Sequence, residues 1–333
     1  MSPLTGEILT RKDEETSDKY GCRPESRALS RHLEFGVINV DKPAGPTSHQ
    51  VADWVKKITG AKKAGHSGTL DPNVTGVLPT ALNSGTKVLQ TLLLAGKEYV
   101  GTMRVHKDFS EGDLKAAAEE FVGTIMQKPP VRSAVKRQIR PRNVYSLEII
   151  ETDGRTVLFR TSVEAGTYIR KLCHDLGEKL GGGNMTELRR TRAGPFFERD
   201  SVTLHDLKDA FEDFKETADE REIRKAILPI ESAVSHLPKL WIQDGAIEAV
   251  CSGAPLAAVG VTKMDSGIVP GDTISIFSGK DELVAVATSS ASATDAISMK
   301  RGFVAKPLRV VMPSGTYPRM WSKKARAGEY AKP

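Results

Sequence analysis

Cysteine is scarce in this chain. Its three cysteines, Cys22, Cys173 and Cys251, stand far apart, and they make neither a metal-ligand spacing nor a disulfide framework. A reducing, cytoplasmic setting is expected. Long apolar runs are also missing. None approaches the roughly 20 residues that cross a bilayer, so no membrane span is expected. The first residues show no apolar h-region, so no signal peptide is expected. A P-loop, a dinucleotide fingerprint and a metal cluster are all absent from the pattern, and no cofactor is implied.

What is present describes a globular, basic protein. Of the 333 residues, 39% are hydrophobic and 27% charged, a balance that fits a soluble fold with room for two domains and a sizeable core. The net charge of +6 favours a polyanionic partner.

Residues 1–34 are polar, with little apolar periodicity, and alone they would be disordered. Phe35–Val40 alternates as a strand. Ser48 is expected to cap a helix whose apolar face is Val51, Trp54, Val55 and Ile58. Residues 99–106 read as a strand and 113–121 as a short helix. Two strand-like segments flank Asp153-Gly154, a hairpin signal. Ile169, Leu172, Cys173, Leu176 and Leu180 make one face of a helix closed by Gly181-Gly182-Gly183. Residues 203–226 read as acid-rich helix and 229–238 as a linker. Beyond residue 240 the pattern becomes a short helix ending at Gly253, then strands at 257–261, 273–277, 282–287 and 303–310. Short strands with frequent turns suggest a small barrel.

The most informative stretch is Ala64–Gly76. It holds one carboxylate, Asp71, in a loop of glycines and hydroxyl residues, preceded by Lys62 and Lys63. A lone acid suits a nucleophile better than a metal cage, which needs several oxygen ligands, or a glycosidase, which needs two carboxylates. Alone, Asp71-Pro72 would read as a turn. Cys173-His174-Asp175 is not a thiol site, because helix neighbours point about 100° apart; Cys173 is read as core.

Five motifs in order carry a resemblance. Ile38–Ser48, Gly65–Gly76, Lys97–Val100, Ala165–Arg170 and Leu188–Phe196 resemble the signature motifs of the pseudouridine synthases that modify the tRNA T-loop and of their relatives in H/ACA ribonucleoproteins. The tail from Gly315 to Trp321 resembles the archaeal and eukaryotic branch, and the lack of long Lys-rich extensions resembles its archaeal form. The resemblance implies an α+β catalytic domain around an antiparallel sheet with a central cleft over residues 35–238. It also implies a small β-barrel PUA domain at 239–315, a basic tail at 316–333, and an arm at 1–34 that relatives tie onto the C-terminal domain.

The implied reaction isomerises uridine without a cofactor. Asp71 is the implied nucleophile or base, acting by attack on the sugar, attack on C6, or removal of the 2′ proton. Arg170 is its expected partner, since a guanidinium favours the charged carboxylate and orients it. The target base must be flipped out, and stacking faces offset that cost. Tyr99 and Tyr168 are the implied pocket rings, and Tyr99 is also a proton acceptor in the family. Leu188 closes the pocket, and His66 fills the space that the flipped base leaves.

Basic side chains supply the expected RNA contacts. Arg132, Lys136, Arg137, Arg140 and Arg142 crowd one loop that the family uses over its substrate. Lys42, Lys63, Arg189, Arg190 and Arg192 are placed near the pocket as phosphate contacts. Gly253 and Ala254 are close-approach positions for guide RNA, beside the bland reading of Gly253 as a helix cap. The implied partners are an H/ACA guide RNA, rRNA and tRNA substrates, two small accessory proteins of which one contains zinc, and a kink-turn-binding protein. Rival readings are a stand-alone tRNA enzyme, an inactive RNA chaperone, and a PUA-bearing methyltransferase.

Overall fold

Alternating apolar residues in Gly36–Lys42 and Thr75–Leu82 build two adjacent, almost wholly buried strands. In the computed structural model, which describes residues 6–129 and 138–319, they lie in a sheet that extends through Gly183–Ala193, Lys97–Val105, Thr156–Val163, Arg140–Asp153 and Gly123–Gln127, in that spatial order. The sheet is antiparallel, as expected, except where Thr75 and Gly76 pair in parallel with Arg189 and Arg190. That exception puts the base of the Asp71 loop against the strand of the last motif. The parallel pairing asks most of Gly76. Its φ is +99°, and a Cβ there would sit 2.2 Å from the Arg190 carbonyl oxygen, so only glycine fits.

Two helices complete the frame. Ser48–Thr59 buries Val51, Ala52 and Val55, while Trp54 is exposed, so the apolar stripe is narrower than its spacing suggests. Its cap is Thr47, not Ser48. Thr47 and Gln50 form a reciprocal capping box, which frees the Ser48 hydroxyl for another task. Ile169–Lys179 buries the expected face of Ile169, Leu172, Cys173 and Leu176. It packs with Met103, Phe159 and Val163 in one apolar cluster. Burial pushes the Cys173 thiol pKa up to about 12, as fits a core cysteine. Residues 203–226 form two helices, Leu204–Thr217 and Arg221–Ala226.

The chain divides into two compact units. Among the described residues, one runs over Val37–Leu82 and Leu89–Leu228; the other comprises those up to Gly36, Asn83–Val88, and those from Pro229 onward. In the latter a seven-stranded sheet runs in the order Ile8–Thr10, Val261–Asp265, Lys239–Ile242, Thr273–Phe277, Leu283–Ser289, Phe303–Val310, Leu256–Ala257. The expected strand at 257–261 is interrupted by a 3-10 turn at Ala258–Gly260. A short helix at Ala293–Ser298 was not legible from the sequence pattern.

The polar N-terminal arm acquires its order from this unit. Ile8–Thr10 adds an edge strand to Lys263–Asp265. Thr16 and the Ser17 amide hydrogen-bond to Asp244 at 2.7 and 2.8 Å. Such external partners supply what an arm without its own core lacks.

Candidate active site

The Asp71 loop connects Ala64–His66 to Thr75–Leu82. Leu70 and Val74 point inward and are buried, whereas Asp71 is exposed. The alternation turns the carboxylate outward while its neighbours anchor the loop. Three buried donors then hold the loop from beneath. Ser48 Oγ accepts from the Leu70 amide at 2.8 Å and donates to the Leu70 carbonyl at 3.1 Å. Lys42 Nζ donates to the carbonyls of Pro43, Pro72 and Val74, each at 2.8 Å. Arg190 donates to Val77 O at 2.7 Å and to Gly68 O at 3.1 Å.

These contacts correct two expectations. Lys42 and Arg190 are fully buried and spend their protons on backbone carbonyls, so neither is a phosphate contact. Burial of an ammonium demands such pairing. Burial, then the Arg190 charge, lowers the Lys42 pKa, and the Asp71 carboxylate partly opposes this. Lys97, from the Lys97–Val100 motif, is a third buried cation. It donates to the carbonyls of Leu92, Leu93 and Ala95 at 2.6–2.9 Å. Burial and the Arg190 charge push its pKa down to about 7.

Arg189 is also occupied. Its guanidinium forms a bidentate pair with Asp41 at 3.0 and 3.1 Å and reaches Glu198 at 2.7 Å. Two carboxylates neutralise it, so the expected phosphate role is not supported there. Arg192 donates to Ser162 Oγ at 3.0 Å and is half-buried. Lys63 is exposed just ahead of the loop. Arg140 and Arg142 lie on the Arg140–Asp153 strand rather than in a loop. Arg142 faces Glu164 at 3.7 Å. Arg132, Lys136 and Arg137 lie outside the described residues, as do Met320 and Trp321.

The expected pairing at the centre is present. Arg170, the second residue of its helix, donates through Nη2 to Asp71 Oδ2. Tyr168 is the N-cap of that helix, so ring and guanidinium come from one turn of backbone. Tyr99 and Leu188 are half-buried and pack on the cluster that also holds Ile169 and Leu172. Both belong to adjacent strands, with Tyr99 opposite Arg190 and Gly101 opposite Leu188. The Gly183–Ala193 strand therefore lies between the loop strand and the Tyr99 strand and assembles the site.

His66 packs edge-on against His49, ring centroids 4.8 Å apart. Burial, His49 and Arg190 push its pKa down to about 4, so the ring is neutral at pH 7. A cavity of about 400 Å³ beside it is lined by His49, Ala52, Asp53, Lys56, Ala64, Gly65, His66 and Leu89. It shares only His66 with the expected site. Gly253 follows Ser252, the C-cap of its helix, with φ +84° and open space where a Cβ would stand; its amide donates to Val250 O at 2.9 Å. That geometry is what ends the helix there. Among the described residues no group of three or more His, Cys, Asp or Glu side chains could hold a metal ion, and no helix is long and apolar enough to cross a membrane.

Several working residues carry no signal that motif reading would single out. Ser48 reads as a cap, Asp41 stands in the first motif with no role assigned to it, and Glu198 is not singled out. Gln127, which bonds the Tyr168 backbone, stands in an unremarkable strand.

Family models match successive stretches of the chain. Residues 56–169 match the N-terminal domain of TruB family pseudouridylate synthase. Residues 170–235 match the tRNA pseudouridylate synthase B C-terminal domain. Residues 4–52 match a DKCLD domain and 238–311 a PUA domain. A probable tRNA pseudouridine synthase B of Methanopyrus kandleri is 52% identical over 96% of this chain and 94% of its own. One of Pyrococcus furiosus is 51% identical over 95% and 94%. Among solved structures, a chain of a Cbf5-Nop10-Gar1 complex superposes with a TM-score of 0.90 at 50% identity, covering 95% of this chain and 98% of that one. A chain of an H/ACA RNP bound to a substrate RNA containing 2′-deoxyuridine gives 0.90 at 47% identity, covering 96% and 100%.

Proposed function

The chain belongs to the TruB family of pseudouridylate synthases, and on that premise we propose that Asp71 is the nucleophile with which it isomerises uridine in RNA. The reaction breaks N1–C1′ and joins C5 to C1′. The proton on C5 is lost, and N1 gains one. No electrons enter or leave, and Asp71 is regenerated at the end. Arg170 fixes the carboxylate that begins the reaction, and fixing a reacting group in place is itself worth several kcal/mol of barrier.

The target uridine is flipped from its stack at a cost of a few kcal/mol. Tyr99 lies against the base, Tyr168 beneath it, and Leu188 closes the pocket. Tyr99 also takes up the C5 proton, and His66 occupies the gap the base leaves. Lys63 and Arg192 are the remaining phosphate contacts, and Gly253 and Ala254 meet guide RNA. The ion pair of Asp71 with Arg170 carries the reading, because a pair this exposed adds little to stability.

The substrate is rRNA selected by an H/ACA guide, and the tRNA T-loop without one. Support comes from relatives: a structure at 47% identity is an H/ACA RNP with substrate RNA, and curated relatives bear the tRNA name. We assign it counterparts of Nop10 and Gar1, one of them zinc-containing, and a kink-turn-binding protein. Delegating target choice to base pairing lets one pocket serve many sequences.

The test uses RNA tritiated at uridine C5, because isomerisation releases that tritium to water. Release from both a tRNA and a guide–target pair is expected. No release from either overturns the proposal; release from tRNA alone, with no gain from guide, removes the guided half.

A further inference from the structure

Gln127 is 2% exposed and ends the Gly123–Gln127 strand. A buried side-chain amide needs both its oxygen and its nitrogen partnered. Both find the same residue. The Tyr168 amide donates to Gln127 Oε1 at 2.9 Å, and Gln127 Nε2 donates to the Tyr168 carbonyl at 3.2 Å. The orientation of the amide is fixed by this pattern, since the Tyr168 N–H can only donate. The pairing copies a rung of antiparallel sheet, made by a side chain where no strand runs.

We infer that Gln127 is a positioning residue for the reaction, acting through the backbone of Tyr168 to hold both the Tyr168 ring and the Arg170 guanidinium in register with Asp71. The inference rests on the catalytic reading given above. Tyr168 is the N-cap of the Ile169–Lys179 helix, with φ −92° and ψ 103° and no side-chain cap of its own. Its carbonyl also accepts from the Leu172 amide at 3.0 Å. The first turn therefore depends on where Tyr168 sits, and Arg170 lies in that turn. The Asp71–Arg170 pair is exposed, so how well Arg170 holds the carboxylate depends on how firmly its own backbone is held. A buried two-point clamp on Tyr168 supplies that hold. The neighbouring strand contributes a parallel tether: the Asn143 amide donates to Glu164 at 2.9 Å. Loop residues 164–168 are thus held at two places by the paired strands 123–127 and 140–143.

The neutral amide donates along one vector and accepts along the other. Leucine supplies neither. A carboxylate at this position accepts from Tyr168 N–H but repels its carbonyl, whereas a neutral carboxylic acid restores both bonds. Charged groups on the surrounding elements are Lys128 next to it in the chain, Arg140 opposite it and Arg142 near it on the paired strand, which also carries Glu148, Glu151 and Asp153, Glu164 on the loop, and Arg170, Lys171, His174, Asp175, Glu178 and Lys179 on the helix.

The experiment compares the full chain with Gln127→Leu and Gln127→Glu, using tritium release from tRNA, RNA affinity, and hydrogen exchange of residues 168–172. In Gln127→Leu we expect kcat to fall at least tenfold, KM and RNA affinity to stay within about twofold, and exchange at 168–172 to quicken at least tenfold. In Gln127→Glu we expect kcat to recover as pH falls and the buried carboxyl protonates, a gain the parent protein does not show. Parent-like kcat and exchange in Gln127→Leu overturn the inference, as does a Gln127→Glu profile parallel to the parent's. A joint loss of kcat and RNA affinity also overturns it. If Gln127→Leu does not fold, the Gln127→Glu profile and exchange decide. An inactive parent protein refutes the function instead, and exchange still judges the clamp.

Discussion

Arg170 Nη2 donates to Asp71 Oδ2 across 99 positions of sequence, with side chains 61% and 55% exposed. An ion pair that open to water adds little stability. What it supplies is aim, and the cost of holding the aim is met elsewhere, by cations buried under the loop.

Asp71→Asn keeps the shape and removes the charge. We expect tritium release to fall at least about 10³-fold, the scale of losing an essential catalytic group, with RNA affinity unchanged in filter binding. Ordinary turnover by this variant refutes the mechanism.

Arg170→Ala should reduce kcat by about 10²-fold while the thermal midpoint moves little, because the lost pair is exposed. Arg170→Lys should recover only part of the rate, since an ammonium lacks the planar fork. A parent-like rate in Arg170→Ala would remove the residue from the site.

Lys42→Met should destabilise the protein by roughly 3 kcal/mol, because three carbonyl oxygens lose their donor. Its RNA binding should keep the parent slope of affinity against salt. A true phosphate contact would instead lower that slope by about one. Thermal melts and a salt titration read the two quantities separately.

His66 links stability to acid. Its folded pKa lies near 4 against an ordinary value of about 6.5, so between those values the unfolded chain binds the extra proton. Stability from this group is whole above pH 6.5 and is lost as pH falls toward 4. Allowing for its partial exposure, the loss should be about 1–2 kcal/mol. His66→Phe should flatten that part of a denaturation series; an unchanged slope would refute the assignment.

Gly76→Ala should unfold the loop strand or lower the thermal midpoint steeply, since its Cβ would meet the Arg190 carbonyl oxygen at 2.2 Å. A midpoint within about a degree of the parent's would contradict the close approach, as strain at such a φ costs of order 1–3 kcal/mol.

Local chemistry was legible along the chain. Periodicity gave the Ile169–Lys179 helix and its buried face, because a 3.6-residue repeat needs no knowledge of partners. The hairpin at Asp153-Gly154 was visible for the same reason, although the two-residue turn falls at Gly154-Arg155. The Thr47-x-x-Gln50 cap was written in the sequence too, with Ser48 a misleading neighbour one position on.

By itself, then, the sequence determined several of the longer elements, the motif order and the choice of Asp71 and Arg170 as partners. Only the tertiary structure decided which basic residues face solvent. Lys42 and Arg190 read as RNA contacts because a cation carries the same letter whether it meets a phosphate or a carbonyl. Burial separates the two, and burial is set by strands distant in sequence. The same holds for Gln127, whose partner Tyr168 lies 41 residues on: an amide in a strand has no meaning until another backbone arrives beside it.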